Sequence, residues 1–386
     1  MKEILEILRL RAAFPDKPYA LATVVKVEGS SYRKPGARML IGANGRLAGS
    51  VSGGCLERDV VSRGLMVLLS GQPQLAVYDT TDQDDMAFGS SLGCAGRIEI
   101  FIEPVPAVRA WPLADVVEKI VEAGKAAVVA TVYRAEKSNA GLAGQIAFII
   151  GDDGLQAFDA NLLMVPSLQE DLRRAATTKK PQSVVYELGE GRLEILLERI
   201  APPLPLILFG GGHDAVPLVR LAREMGHRVT VVDRRVDFAD PQRFPGAEAV
   251  LPIPPQHVAA RLKLAPEAAV VIMNHHYETD AELLGILLRT DVAYLGMLGP
   301  RRRTDKILRE LREGGLLVTE RELEKLHAPA GLDLGSENPE QIALSILAEI
   351  QAVLAGRAAG NLRAQAAPRT ETEEKPPLWQ RSASSF

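Results

Sequence analysis

The sequence predicts an α/β protein, with an N-terminal α/β domain followed by a C-terminal Rossmann-like, doubly wound parallel sheet. Three observations carry this reading. From about Leu206 to Gly356 the chain alternates strand-like and helix-like segments. The first of those strands runs into a glycine turn, Gly210-Gly211-Gly212, that opens a helix. The first hundred residues mix short β-rich runs with helical stretches, and glycine-rich loops stand at the strand ends. A length of 386 residues suggests two or three domains, and 47% hydrophobic content supplies material for real cores.

The first predicted domain spans 1–104. It opens with a helix, because Ile4, Leu5 and Leu8 have amphipathic spacing. A strand follows at Ala20–Val27 and another at Arg38–Ile41, and Asn44-Gly45 signals a hairpin. After Cys55, residues Leu56, Val60, Val67 and Leu68 share a helical face, and RIEIFIEP supplies a last strand. The middle region, 105–200, holds a helix closing on Gly124, a favoured residue just past a helix end, and strands at Ala126–Tyr133 and Gln145–Ile150. It either folds alone or extends the first sheet. Ala201–Pro205 (APPLP) reads as a short stiff linker.

The third domain, 206–357, carries the strands LILF, RVTVVD, AAVVIMN and VAYLGML with helices between them. Its last helix has a predicted cap at Asn338, Pro339 in the first turn and Gln341 reaching back, with Ile342, Ile346 and Ile350 at helical spacing. Residues 361–386 are Ala-, Pro-, Glu- and Ser-rich and read as disordered. No internal repeat is evident along the chain.

A net charge of −4 argues against a nucleic-acid partner, which would need a basic face. The charged N-terminus lacks the apolar run of a signal peptide, and no stretch approaches the ~20 apolar residues of a membrane span. The expectation is a soluble, cytoplasmic protein without a membrane partner. Two cysteines make no disulfide framework.

Both cysteines sit in glycine-rich loops. In GSVSGGCLE, Ser52-Gly53-Gly54 turns into a predicted helix beginning near Cys55, and a helix start favours anions and thiolates. In GSSLGCAG, Gly93 and Cys94 have small neighbours that let a large ligand reach the backbone. Two thiols are too few for structural zinc. They suit a soft metal or sulfur-rich centre, while a redox disulfide between them and simple packing of small residues stay open. In the third domain, Gly210-Gly211-Gly212-His213-Asp214-Ala215 fits G-x-G-x-x-A, and Asp233 ends the next strand where a ribose-binding acid stands. A bound nucleotide, another phosphate ligand and an unliganded scaffold are all compatible with that motif. Asn274-His275-His276 ends a further strand and reads as a polar cleft rim rather than, with Glu278 and Asp280, a metal cluster. Gly296 and Gly299 lead into Arg301-Arg302-Arg303, which suits a phosphate or a solvated helix start.

GSSYRKPGARM (29–39), GSVSGGCLE and LGCAG resemble the N-terminal domain of the XdhC/CoxI family. FGGGHDAVPLVRLAREMGHRVTVVDRR, YLGMLGPRRR and HAPAGLDLGSENPEQIALSILAEI resemble its C-terminal Rossmann domain. The resemblance covers most of 10–355 except the middle region. It implies a xanthine dehydrogenase accessory factor that binds molybdenum cofactor, supports exchange of an oxo for a sulfido ligand and delivers the cofactor to a molybdenum hydroxylase. It further implies a cysteine desulfurase as a partner and a homo-oligomeric state. On this reading the protein is a maturation chaperone rather than an autonomous enzyme, and no catalytic residue is assigned. The cofactor-binding candidates are Ser52, Gly53, Gly54, Cys55, Gly93 and Cys94, with Gly210, Gly211, Gly212, His213, Asp233 and Arg301 for a phosphate or nucleotide. Cys55 and Cys94 are the molybdenum-facing thiols, and the cofactor is molybdopterin, with or without a nucleotide. Two departures stand out: GCAG replaces the usual GCGG, and His275-His276 replaces Thr-His. The competing reading is an NAD(P)-dependent oxidoreductase that uses the Rossmann domain.

Overall fold

A computed structural model describes residues 1–54, 56–79, 96–106, 111–178, 180–189 and 191–364. The chain separates into two units, Met1–Leu204 and Pro205–Phe386. The first unit begins with α1 (Lys2–Ala13), β1 (Tyr19–Gly29), β2 (Arg38–Gly42), β3 (Gly45–Gly49), α2 (Glu57–Ser70), β4 (Gln74–Asp79) and β5 (Gly96–Val105). These strands form an antiparallel sheet of order β3-β2-β1-β5-β4. Strand alternation divides its side chains between two cores. Ala20, Ala22 and Val24 pack with Val60 and Val67 of α2. Leu21 and Leu40 turn to the other face, where they meet Ile4 and Ile7 of α1. The β2–β3 hairpin closes with Gly42 paired to Gly45, whose φ of +105° only glycine adopts easily.

The second half of this unit runs α3 (Pro112–Ala123), β6 (Ala127–Ala135), β7 (Ile146–Ile150), β8 (Gln156–Ala157), α4 (Leu168–Thr178), β9 (Gln182–Leu188) and β10 (Gly191–Ile200). Gly124 closes α3 in the left-handed region, as its position suggests. The sheet has the order β8-β7-β6-β10-β9, which is the order of the first sheet repeated.

The unit is therefore an internal duplication, contrary to the sequence expectation of no repeat. Thr23 pairs with Arg38 as Thr131 pairs with Ile146, and Met39 with Gly49 as Ala147 with Ala157, all at a constant offset of 108. Gly36 donates to the Val24 carbonyl at 2.8 Å, and Gly144 donates to that of Val132 at 2.8 Å. Each copy carries a β-bulge at the same place, at Val25 and at Tyr133. Those two side chains meet Phe101 and Leu196 in one small core between the copies. The fifth strands match almost letter for letter, Gly96–Glu103 (GRIEIFIE) with Gly191–Glu198 (GRLEILLE). α1 and α3 cover a core that draws on both sheets, Leu21 and Leu40 from one, Val129 and Phe148 from the other.

The second unit alternates strand and helix except between β12 and β13, which no α-helix separates, and at the consecutive helices α8 and α9: β11 (Pro205–Phe209), α5 (Ala215–Glu224), β12 (Arg228–Asp233), β13 (Ala249–Pro252), α6 (Val258–Arg261), β14 (Ala269–Ile272), α7 (Tyr277–Leu287), β15 (Tyr294–Met297), α8 (Arg301–Glu313), α9 (Glu320–Glu324), β16 (Leu326–His327) and α10 (Pro339–Leu354). All six strands are parallel in the order β13-β12-β11-β14-β15-β16. Numbered within the unit this is 3-2-1-4-5-6, the Rossmann arrangement the sequence predicts. Asn338 caps α10 by accepting from the Gln341 N–H at 3.0 Å. The Gln341 side chain reaches back one residue further than a capping box requires, to the Glu337 N–H at 2.8 Å. Among the described residues no helix is long and apolar enough to cross a membrane.

Candidate functional site

Two loop clusters carry the sequence motifs, one in each unit. In the first unit the sharp exit from β3 is set by Gly49, where a Cβ would lie 2.2 Å from the Arg38 carbonyl oxygen. The chain then forms a turn organised by hydroxyls. Ser50 Oγ donates to the Ser52 carbonyl at 2.8 Å, and Ser52 Oγ accepts from the Gly54 N–H at 3.0 Å and the Leu56 N–H at 3.4 Å. Ser52 is thus buried and structural, while Gly53 and Gly54 are exposed. Among the described residues nothing lies within 4 Å of a Cβ built on Gly54.

Two neighbouring loops close on the same place. The ring of Tyr32, 72% exposed, covers Gly53, with its atoms 3.5–3.8 Å from where a Cβ would stand. Gly96 is wedged against the β1 exit, where a Cβ would lie 2.6 Å from both the Glu28 and Ser30 carbonyl oxygens. The segments holding GSSYRKPGARM, GSVSGGC and the residue that ends GCAG therefore converge at one end of the first sheet. Cys55, Gly93 and Cys94 themselves lie outside the described residues. In the sequence Cys55 directly follows Gly54, and Cys94 lies two positions before Gly96.

The helix that follows is acidic where it starts. Glu57 pairs with Arg46 at 3.1 Å, and Asp59 accepts from Arg63 Nε and the Tyr78 hydroxyl, each at 2.6 Å. Burial raises the Asp59 carboxyl, but Tyr78 and Arg63 outweigh it and hold the group below its ordinary range. These carboxylates already use the positive end of α2, and the Ser52 hydroxyl has taken two N–H groups. The anion-binding capacity expected from a bare helix start is correspondingly reduced.

In the second unit the glycine loop joins β11 to α5 at the topological switch point between β11 and β14. Gly210 has a φ of +121°, and a Cβ on it would lie 2.5 Å from the Met273 carbonyl oxygen. Gly211 is pressed against Phe238, with 2.3 Å from a Cβ to the Phe238 carbonyl oxygen. Gly212 instead has nothing within 4 Å of such a Cβ among the described residues. The first two glycines serve packing, and the third leaves room for a ligand at the start of α5. His213 is exposed.

Across the crevice, His275 adopts a φ of +58° and places Nε2 3.1 Å from Asp214 Oδ2. His276 caps α7 by accepting from the Thr279 N–H. Asp280 is buried between Asn274 Nδ2 at 3.0 Å and Arg303 Nη2 at 2.5 Å. His275 and His276 are exposed while Asp280 is buried, and no group of three or more His, Cys, Asp or Glu able to hold a metal occurs among the described residues. Of the three arginines, Arg303 is turned inward to Asp280, while Arg301 is exposed with Asp305 4.0 Å away. Asp233 stands at the end of β12, buried and tied to Gly211 and Arg235. Burial raises its carboxyl, and Arg235 with the Gly211 N–H brings it below the ordinary range.

Sequence reasoning gave Tyr32 and Arg235 no role, and named Asp214 only as part of the glycine motif. An aromatic side chain inside a Gly-Ser-Ser turn was a usable signal for Tyr32, since such a turn has little core to bury it. The pairings of Asp214 and Arg235 depend on how neighbouring loops fold back, which no local pattern reports.

Comparison with known proteins follows the same division. A family model described as "XdhC Rossmann domain" matches residues 206–350, and one described as "XdhC and CoxI family" matches residues 15–79. A Bacillus subtilis protein, named as a probable xanthine dehydrogenase subunit, is 32% identical over 330 residues, 86% of this chain and 91% of that one. The Escherichia coli "Molybdenum cofactor insertion chaperone PaoD" is 22% identical over 344 residues, 89% of this chain and 86% of that one. A crystal structure from Bacillus halodurans, described as a xanthine dehydrogenase, superposes with a TM-score of 0.71 at 28% identity, covering 94% of this chain and 97% of that one.

Proposed function

This chain belongs to the XdhC and CoxI family, and from that premise we propose that it is an accessory factor for a molybdenum hydroxylase of the xanthine dehydrogenase type. Its cargo is molybdenum cofactor, which it holds, presents for exchange of an oxo for a sulfido ligand, and hands to the client. A cysteine desulfurase supplies the sulfur, and the working form is a homo-oligomer. The names of two relatives support the cargo and the client, one being a molybdenum cofactor insertion chaperone and the other a probable part of a xanthine dehydrogenase.

The observation that carries the reading is the meeting of three loops at one end of the first sheet. Tyr32 against Gly53, and Gly96 against Ser30, gather the segments that lead to Cys55 and Cys94 in the sequence. Among the described residues nothing crowds Gly54, and the exposed Tyr32 ring offers a flat apolar surface suited to a pterin. Soft thiolates suit a metal dithiolene and its sulfur chemistry.

The test is direct. Protein incubated with free molybdenum cofactor and passed through gel filtration retains molybdenum in the protein fraction, and Cys55→Ser retains several-fold less. Equal retention by the two forms sinks the thiol role, and no retention by either sinks the cargo reading.

A further inference from the structure

In a Rossmann sheet the end of the second strand reads the ribose of a bound dinucleotide, either through an acid that accepts from its hydroxyls or through an arginine that takes a phosphate esterified to it. Here that position is Asp233, and its acceptor capacity is spent. A carboxylate offers about four lone-pair positions. Oδ1 accepts from the Arg235 N–H at 2.9 Å and from Arg235 Nε at 2.9 Å. Oδ2 accepts from the Gly211 N–H at 2.8 Å and from Arg235 Nη2 at 2.8 Å. The residue is 2% exposed. No oxygen is left to receive a ribose hydroxyl.

The arrangement is held in place. The Arg235 guanidinium lies 3.6 Å over the Phe238 ring, and Phe238 is itself pressed against Gly211. Arg243 covers the same ring at 4.9 Å. What the strand end presents outward is cationic. Arg234 is exposed and makes no hydrogen bond or ion pair among the described residues. Arg235 keeps 39% of its side chain exposed. The acids on the same turn are Asp237, which is exposed, and Asp240, whose carboxylate caps the next turn through the Gln242 N–H at 2.9 Å. At the strand end itself Asp233 is spent and Arg234 and Arg235 can only donate, so apart from the exposed Asp237 further along the turn, the groups offered there favour an oxyanion over a hydroxyl.

We propose that the Rossmann unit binds a dinucleotide whose adenosine ribose carries a 2′-phosphate, with Arg234 as the phosphate ligand and Arg235 as the residue that withholds Asp233 from a plain ribose. This goes beyond the cargo role and does not depend on it, because the test contains no molybdenum cofactor.

Full-length protein is titrated with NADPH and with NADH, following nicotinamide fluorescence at fixed salt. NADPH binds at least about tenfold more tightly, and 2′,5′-ADP displaces it better than 5′-AMP. Arg234→Ala removes most of that preference while leaving NADH unchanged, and Arg234→Lys retains part of it. Arg235→Ala frees the Asp233 carboxylate, so the preference shifts towards NADH. Equal binding of the two nucleotides, binding of neither, or an equal loss of both in Arg234→Ala overturns the proposal.

Discussion

Arg38 in the first copy of the duplicated unit and Ile146 in the second stand at the same place on the same strand, and the glutamates opposite them have different fates. Glu198 lies against Gly36, its Oε2 2.7 Å from where a Cβ would be, and Arg38 holds it there with Nη1 3.1 Å from Oε2 and Nη2 on Oε1. Glu103, the matching residue of the first copy, lies against Gly144 at 3.0 Å in the same sense. It has no hydrogen bond or ion pair among the described residues, and burial pushes its carboxyl up to about 7 despite the nearby Arg38. Each copy therefore lends a glutamate to the other, but only one of the two exchanges kept its cation.

The loops differ in the same way. The first copy joins its fourth and fifth strands through residues 80–95, which carry Cys94, and the second does so through residues 189–190. Neither cysteine occurs in the second copy. The two copies share a frame, and both cysteines stand on one side of it.

The most severe way to break this comparison is Arg38→Ile, which gives the first copy the residue of the second. Glu198 is then buried without a partner, at a cost of about 3–5 kcal/mol, or roughly 10 °C in melting temperature. Adding Glu198→Gln returns most of that loss. A drop below about 1 kcal/mol in the single variant would show that the pair does not hold the copies together.

Glu103→Gln sharpens the contrast through pH. The folded carboxyl is raised to about 7, above its unfolded value. The folded state therefore keeps a proton that the unfolded state releases, and wild-type stability falls as pH climbs from about 4.5 to 7 and then levels. The glutamine variant lacks that fall. It matches wild type at pH 4 and exceeds it at pH 8 by on the order of 2 kcal/mol, as measured by urea unfolding at each pH. Identical pH profiles would mean that Glu103 is solvated.

The mildest change is Tyr32→Ala. Its counterpart in the second copy is already Ala140. Stability stays within about 0.5 kcal/mol because the ring is exposed, while retention of molybdenum cofactor falls about fivefold. Ala140→Tyr changes neither, which places ligand contact in the first copy alone.

The parallel sheet was legible because its signals are local. A glycine turn after LILF, an acid at the end of RVTVVD and the alternation of strand and helix each sit within a few dozen residues. The duplication is hidden in the sequence although GRIEIFIE and GRLEILLE nearly coincide. No single period spans the two copies: Gln74 to Gln182 is 108, whereas Glu103 to Glu198 is 95, because the cysteine-bearing loop is longer. The glutamates within those apolar strands were the overlooked clue, since a carboxylate on a buried strand needs an account. Asp233 shows the opposite limit. Its place was readable, but whether its oxygens were free depended on Arg235 folding back two residues later.

The shared core and exchanged glutamates also bear on how the first unit comes apart. Leu21 and Leu40 pack in one cluster with Val129 and Phe148, and Val25 and Phe101 in another with Tyr133 and Leu196. Opening either copy would expose apolar surface belonging to both. The two halves should then behave as one cooperative block, with amide protons of β1 and β6 exchanging at a common slow rate set by global unfolding.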